Sequence, residues 1–173
     1  LAQDSKEPSP KVILLISEQN IEGPQRAWWA SEVDLSVTEA TIAKSLLGAG
    51  FEVLEPSSLD KVLKQDKAFR SLNMAEAQSV KLGDLSGADF VVVGKALASS
   101  AGFVPQSTLR SCFANLSAKL IRAKDGKLIA YLDASGSSAH MDVITGGREA
   151  LNKGAEELAK KIIEALKNNK EAK

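Results

Sequence analysis

Nucleophilic catalysis needs a base held beside the nucleophile, and this chain has little material for either. His140 is its only histidine and Cys112 its only cysteine. The nucleophile-elbow pattern G-x-S-x-G is absent. Cys112 falls on the apolar side of an alternating stretch, where a thiol is expected to be buried and inert. His140 follows the last expected strand, close to a sheet edge, and the sequence supplies it with no catalytic partner. One cysteine and one histidine are poor material for zinc. Glu156-Glu157 lie on the solvated side of a helical pattern, and Asp89 sits where a turn or cap residue is expected. No catalytic residue, metal site or cofactor is therefore assigned, and the chain is expected not to be an enzyme.

Phosphate-binding signatures are equally sparse. No G-x-x-x-x-G-K-[ST] loop occurs. Gly48-Ala49-Gly50 follows a helix and precedes a strand, the reverse of the dinucleotide-binding order. Thr145-Gly146-Gly147-Arg148 opens the last expected helix, where free N–H groups favour an anion. Ordinary helix-start punctuation accounts for the same residues. Aromatic residues give a different lead. Trp28 and Trp29 stand together in an expected loop, and Phe103 sits in another, Ser99 to Pro105. All three are candidate partner-binding residues, because exposed aromatics anchor protein contacts. For the tryptophans, folding back as a lid over the sheet is the stronger expectation, because a large apolar side chain usually finds cover.

These residues must be carried by a framework, and the composition describes it. The chain has 173 residues, 44% hydrophobic, with 22 basic against 22 acidic side chains. That suffices for one domain with a real core. Zero net charge argues against general nucleic-acid binding, which needs a basic surface. A lone cysteine excludes an internal disulfide framework. No apolar run is long enough to cross a bilayer as a helix.

Leu1 to Pro10 is polar, carries Pro8 and Pro10, and is expected to be a flexible linker or tether (residues 1–10). Val12 to Ile16 is a short continuous apolar run, which predicts a strand covered on both faces. Ser36-Val37-Thr38-Glu39 is a capping box. It opens a helix with Ala40, Ile42, Ala43, Leu46 and Leu47 expected inward and Gly48 and Gly50 at its end. Phe51 to Leu54 predicts a second strand. A short helix from Ser57 or Ser58 and a longer one from Asn73 to about Leu82 come next. Phe90 to Val93 marks a third strand.

The pattern then turns to alternation. Cys112, Ala114, Leu116, Ala118 and Leu120 face one way, with Ser111, Asn115, Ser117 and Lys119 opposite, as in a half-buried antiparallel strand. Lys124-Asp125-Gly126-Lys127 is a hairpin signal. The returning strand carries Leu128, Ala130, Leu132, Ala134 and Gly136 on one face. These shrink along its length, as expected where a helix approaches closely. The last helix is expected from about Gly147 to Leu166, with residues 168–173 a disordered tail. The prediction is a single α/β domain over residues 11–167. Its mixed sheet has about five strands packed with helices, in the order β-α-β-α-α-β-β-β-α.

One resemblance runs through these segments. Val12 to Ile21 followed by Trp28-Trp29, the helix and Gly50-Phe51-Glu52-Val53 step, Gly87-Ala88-Asp89-Phe90-Val91-Val92-Val93-Gly94, and the Asp125-Gly126 hairpin resemble a domain of bacterial envelope lipoproteins. The group includes the middle domain of flagellar assembly protein T, the curli-secretion channel protein, lipoprotein activators of penicillin-binding proteins, and the N-terminal domain of the Tol propeller protein. The resemblance implies a non-enzymatic accessory module working through protein–protein contacts in envelope or surface-structure assembly. Its partner would be an envelope protein, its place the periplasm or the outer membrane, and its only membrane contact an N-terminal tether. Two other readings stay open. One is a nucleotide- or small-anion-binding α/β enzyme domain with a pocket near Asn20 and Gly94. The other is an oligomeric structural scaffold, a homo-oligomer of this chain.

Overall fold

The computed structural model describes residues 8–22, 36–54 and 87–171. Strands β1 (Lys11–Gln19), β2 (Glu52–Leu54), β3 (Phe90–Phe103), β4 (Arg110–Arg122) and β5 (Leu128–His140) form one sheet in the order β2-β1-β3-β4-β5. Helix α1 spans Val37–Gly48 and helix α2 spans Val143–Glu171. β1 pairs in parallel with both β2 and β3, and the remaining pairs are antiparallel. The five-stranded mixed sheet of a single α/β domain is thus as expected. The two expected middle helices, Trp28, Trp29 and most of the expected linker lie outside the described residues.

The apolar run of β1 is buried on both faces because alternate side chains feed two clusters. Val12, Leu14 and Ile16 join the main core with α1 and α2, while Ile13 and Leu15 join a smaller cluster on the opposite face. Phe90 and Val92 divide from Val91 and Val93 in β3 in the same way. In β4, Cys112, Ala114, Leu116, Ala118 and Leu120 are buried as the alternation requires. At the hairpin, Gly126 takes φ 70° and the Arg122 N–H donates to the Lys127 carbonyl at 2.9 Å. Asp125 accepts from the Arg122 guanidinium at 2.6 Å, which holds its carboxyl well below the usual carboxylate range.

The narrowing of β5 has the expected cause. A Cβ placed on Gly136 would run into the Ala150 carbonyl oxygen and stand 2.6 Å from the Gly154 nitrogen. Strand and helix backbones therefore meet there, and only glycine fits.

Four expectations are corrected. First, Ser99 to Phe103 is not a loop but the end of β3, paired with Phe113 through Arg110 across an irregularity between Ser100 and Gly102. Ser-Ser-Ala-Gly has weak strand preference, and the ladder from β4 overrides it. Second, His140 is the last residue of β5 and does not follow it. Third, α1 buries Thr38, Glu39, Ile42 and Leu46, whereas Ala40 is exposed and Leu47 is 58% exposed. Its inward face is therefore rotated from the apolar pattern. Fourth, α2 begins four residues early, at Val143, and continues to Glu171, so the residues from Asn168 to Lys170 are helical and not a disordered tail. The Lys170 ammonium lies 5.5 Å from the centre of the Phe51 ring, which docks the final turn against the body.

Candidate functional site

The sheet presents its working surfaces at one end and one edge. At the end where β1 finishes, both described helices start, and both N-termini are capped by the chain's own carboxylates. Glu18, buried at the end of β1, accepts the Thr38 N–H at 2.8 Å. The Ser36 hydroxyl accepts the Glu39 N–H at 3.1 Å, so the expected cap of α1 forms. Asp142 does the same for α2. Its carboxylate accepts the Thr145 N–H at 2.8 Å and the Thr145 hydroxyl at 2.7 Å, and its carbonyl accepts the Gly146 N–H at 2.9 Å.

Thr145, Gly146, Gly147 and Arg148, the candidate anion seat, thus lie inside the first turns of α2. The glycines serve packing there. A Cβ on Gly146 would stand 2.6 Å from Cys112 Sγ, and one on Gly147 would strike the Asn20 carboxamide. The negative group at this helix start is Asp142 itself. Arg148 is exposed. Asn20 ties the end of β1 to α2 by donating to the Ile144 carbonyl at 3.1 Å. Gly94 pairs with Ile16, four residues short of Asn20, so the two residues of the expected ligand crevice are not brought together.

The Thr145 hydroxyl, then the backbone amides, hold the Asp142 carboxyl below its ordinary pKa. A carboxyl depressed on folding contributes stability above its unfolded pKa and loses it as pH falls through the folded value. Acid denaturation of the parent should therefore be steeper below about pH 4 than that of Asp142→Asn, which keeps a capping oxygen but no titrating charge. Unfolding midpoints of the two proteins followed from neutral pH downwards measure this difference.

Cys112 and His140 both approach Gly146, yet they form no catalytic pair. Cys112 is fully buried, and burial pushes its thiol pKa up, so it stays protonated. The His140 Nδ1 accepts the Asp142 N–H at 3.1 Å, a turn-forming bond. Among the described residues, no three His, Cys, Asp or Glu side chains are grouped to hold a metal.

What this end does offer is exposed apolar surface. Phe103, Arg110 and His140 form one cross-strand row. The Arg110 guanidinium lies 4.8 Å from the centre of the Phe103 ring, while Phe103 remains 64% exposed. Met141 and Ile144, just beyond the row, are also exposed. Beyond the smaller cluster, the sheet face opposite α2 carries Leu97, Phe113 and Tyr131 exposed among serines and Asn115. Met141, Ile144, Phe113 and Tyr131 escape sequence reasoning because a single apolar residue carries no sign of whether the fold will cover it. The exposed face of the β4 alternation was the one signal available for Phe113.

A five-stranded mixed sheet whose two described helices pack on the same face defines the class. No family model matches the chain, and no curated protein matches it. Solved structures do. The hypothetical protein CT253 of Chlamydia trachomatis aligns with a TM-score of 0.52 at 12% identity, over 92% of this chain and 96% of that one. Lipoprotein GNA1162 of Neisseria meningitidis aligns with a TM-score of 0.48 at 16% identity, over 96% of this chain and 100% of that one. The C-terminal domain of LpoB from Salmonella enterica gives 0.44 at 15% identity, over 80% and 87%. The likeness to the chlamydial protein is one of fold.

Proposed function

We propose that this chain is a non-enzymatic accessory protein of the bacterial cell envelope that works by gripping another protein during assembly of an envelope or surface structure. The observation that carries this reading is Phe103. A large aromatic ring is left 64% exposed at the end of a rigid antiparallel ladder, with Arg110 stacked on it and Met141 exposed nearby. Aromatic and arginine side chains fixed in place dominate protein–protein contact energies, and a ring held by a strand loses little entropy on binding. The resemblance of the β1, Gly87 to Gly94 and hairpin segments to envelope lipoprotein domains supplies the setting. In this reading the chain sits in the periplasm or is anchored at the outer membrane, and Trp28 and Trp29 extend the contact.

The test is a photocrosslinking residue placed at 103 in cells, with one at Glu156 on the solvated face of α2 as reference. A discrete crosslinked envelope protein at 103 and none at 156, with the adduct lost in Trp28→Ala/Trp29→Ala, supports the reading. Identical diffuse products from both positions defeat it. Crosslinks only between copies of the chain favour the scaffold reading instead.

A further inference from the structure

Among the described residues, strand β5 is paired on one side only, by β4, and forms an edge of the sheet 13 residues long. Adjacent residues of a strand aim their backbone groups toward opposite edges. Those of Asp133 and Ser137 face away from β4, because lysines from α2 hold their carbonyls. Lys161 Nζ donates to the Asp133 carbonyl at 2.6 Å, and Lys153 Nζ donates to the Ser137 carbonyl at 3.0 Å. Tyr131 and Ser135 share that parity. Eight residues of helix cover about 12 Å and four residues of strand about 13 Å, so the two lysines match two edge carbonyls. These are places that N–H groups of a sixth strand would take.

We infer that the β5 edge is a docking site for an extended acidic segment of a partner protein, and that Lys153 and Lys161 stand in for its N–H donors until it arrives. This rests on the reading that the chain works through protein contacts, at a surface separate from Phe103. Exposed edges are normally blunted by proline, bulges or charges on the strand itself. From Ala130 to His140, β5 has no proline and no lysine, its one carboxylate is Asp133, and its pairing with β4 runs without a bulge. An open cleft of about 450 Å³ runs beside it, lined by Phe113, Ser135, Ser137, Lys153 and Glu157 among others.

Charge chooses the occupant. A strand added here takes the two carbonyls and releases two ammonium groups, which then need carboxylates. Glu157 lies between the lysines on α2 and pairs with Lys161 at 3.3 Å. The helix therefore offers plus, minus, plus beside the edge. Its complement on an extended segment is an acid at one position, a base or neutral residue two further on, and an acid at four. Glu149, four residues before Lys153, extends the row to minus, plus, minus, plus, so a second copy paired through β5 about a twofold axis meets opposite charges in one register and like charges in the next. The two released ammonium groups thus favour an acidic segment over a basic one.

The experiment uses the whole chain and two fluorescein-labelled synthetic peptides rich in valine and threonine. One carries Glu, Lys, Glu at positions i, i+2 and i+4, and the other Lys, Glu, Lys. At low salt the acidic pattern should bind about tenfold more tightly. Lys153→Ala/Lys161→Ala should abolish the difference, and Lys153→Arg/Lys161→Arg should retain it. Hydrogen exchange at the Tyr131 and Ser135 amides should slow when the acidic peptide binds. Equal binding of the two peptides overturns the proposal. So does binding that appears only once the lysines are removed, because the lysines would then close the edge. Amide protection that rises with protein concentration alone also overturns it, in favour of self-pairing. Persistence of the crosslink at position 103 in the double alanine variant separates failure here from failure of the wider reading.

Discussion

Gly136→Ala should lower stability by about 3 kcal/mol, near the upper end of overpacking costs, and drop the melting temperature by about 10 °C. The added methyl would enter the space of the Ala150 carbonyl and approach the Gly154 nitrogen. Both are backbone atoms in the middle of α2, so no rotamer change makes room. Either β5 bends away from the helix or the helix lifts from the sheet, and both movements open the core around Leu116, Ala134 and Leu158. Ser135→Ala, one residue earlier and exposed, should change stability by no more than about 0.5 kcal/mol. Denaturant unfolding of both variants beside the parent gives the comparison. Equal midpoints for Gly136→Ala and the parent would mean that strand and helix are not in backbone contact.

Leu46→Ala and Leu47→Ala should differ sharply although the residues are neighbours of one type. Leu46 is fully buried in the main cluster with Ile42, so its truncation should cost about 2–5 kcal/mol through lost transfer energy and a residual cavity. Leu47 is 58% exposed, and its truncation should cost about 0.5 kcal/mol or less. Chemical denaturation reads both. A large loss at Leu47 would restore the inward face implied by the apolar pattern and contradict the rotated helix. The rotation has a cause in the fold. Thr38 must bring its N–H to the buried Glu18 carboxylate, and satisfying a buried charge outweighs covering one leucine.

That helix shows where local reading stops. Its existence and its start at Ser36 follow from a capping box, a pattern within four residues. Its orientation follows from Glu18, which is distant in sequence and sits in the strand before it. The end of α2 is similar. Lys/Glu periodicity continues past Leu166, but the ring of Phe51 decides that the last turn stays docked. The aromatic type of Phe103 marks it as a contact residue, yet its support, the Arg110 guanidinium across the ladder, needs the pairing of β3 with β4. Trp28 and Trp29, the other half of that reading, lie outside the described residues.

The amino-acid order by itself determined the α/β class, the doubly buried runs of β1 and β3, the alternating β4 and its Asp125-Gly126 turn, and the taper of β5 toward Gly136. Each is a matter of which neighbours within a few residues are apolar, small or able to turn, and such preferences act before the chain is folded. Tertiary structure alone decided how far β3 runs, which face of α1 turns inward, and that Asp142 closes the start of α2. It also decided that two lysines of α2 reach the edge carbonyls of Asp133 and Ser137 in β5. Those outcomes depend on backbone groups and charges that are far apart in sequence and find partners only when sheet and helices have packed.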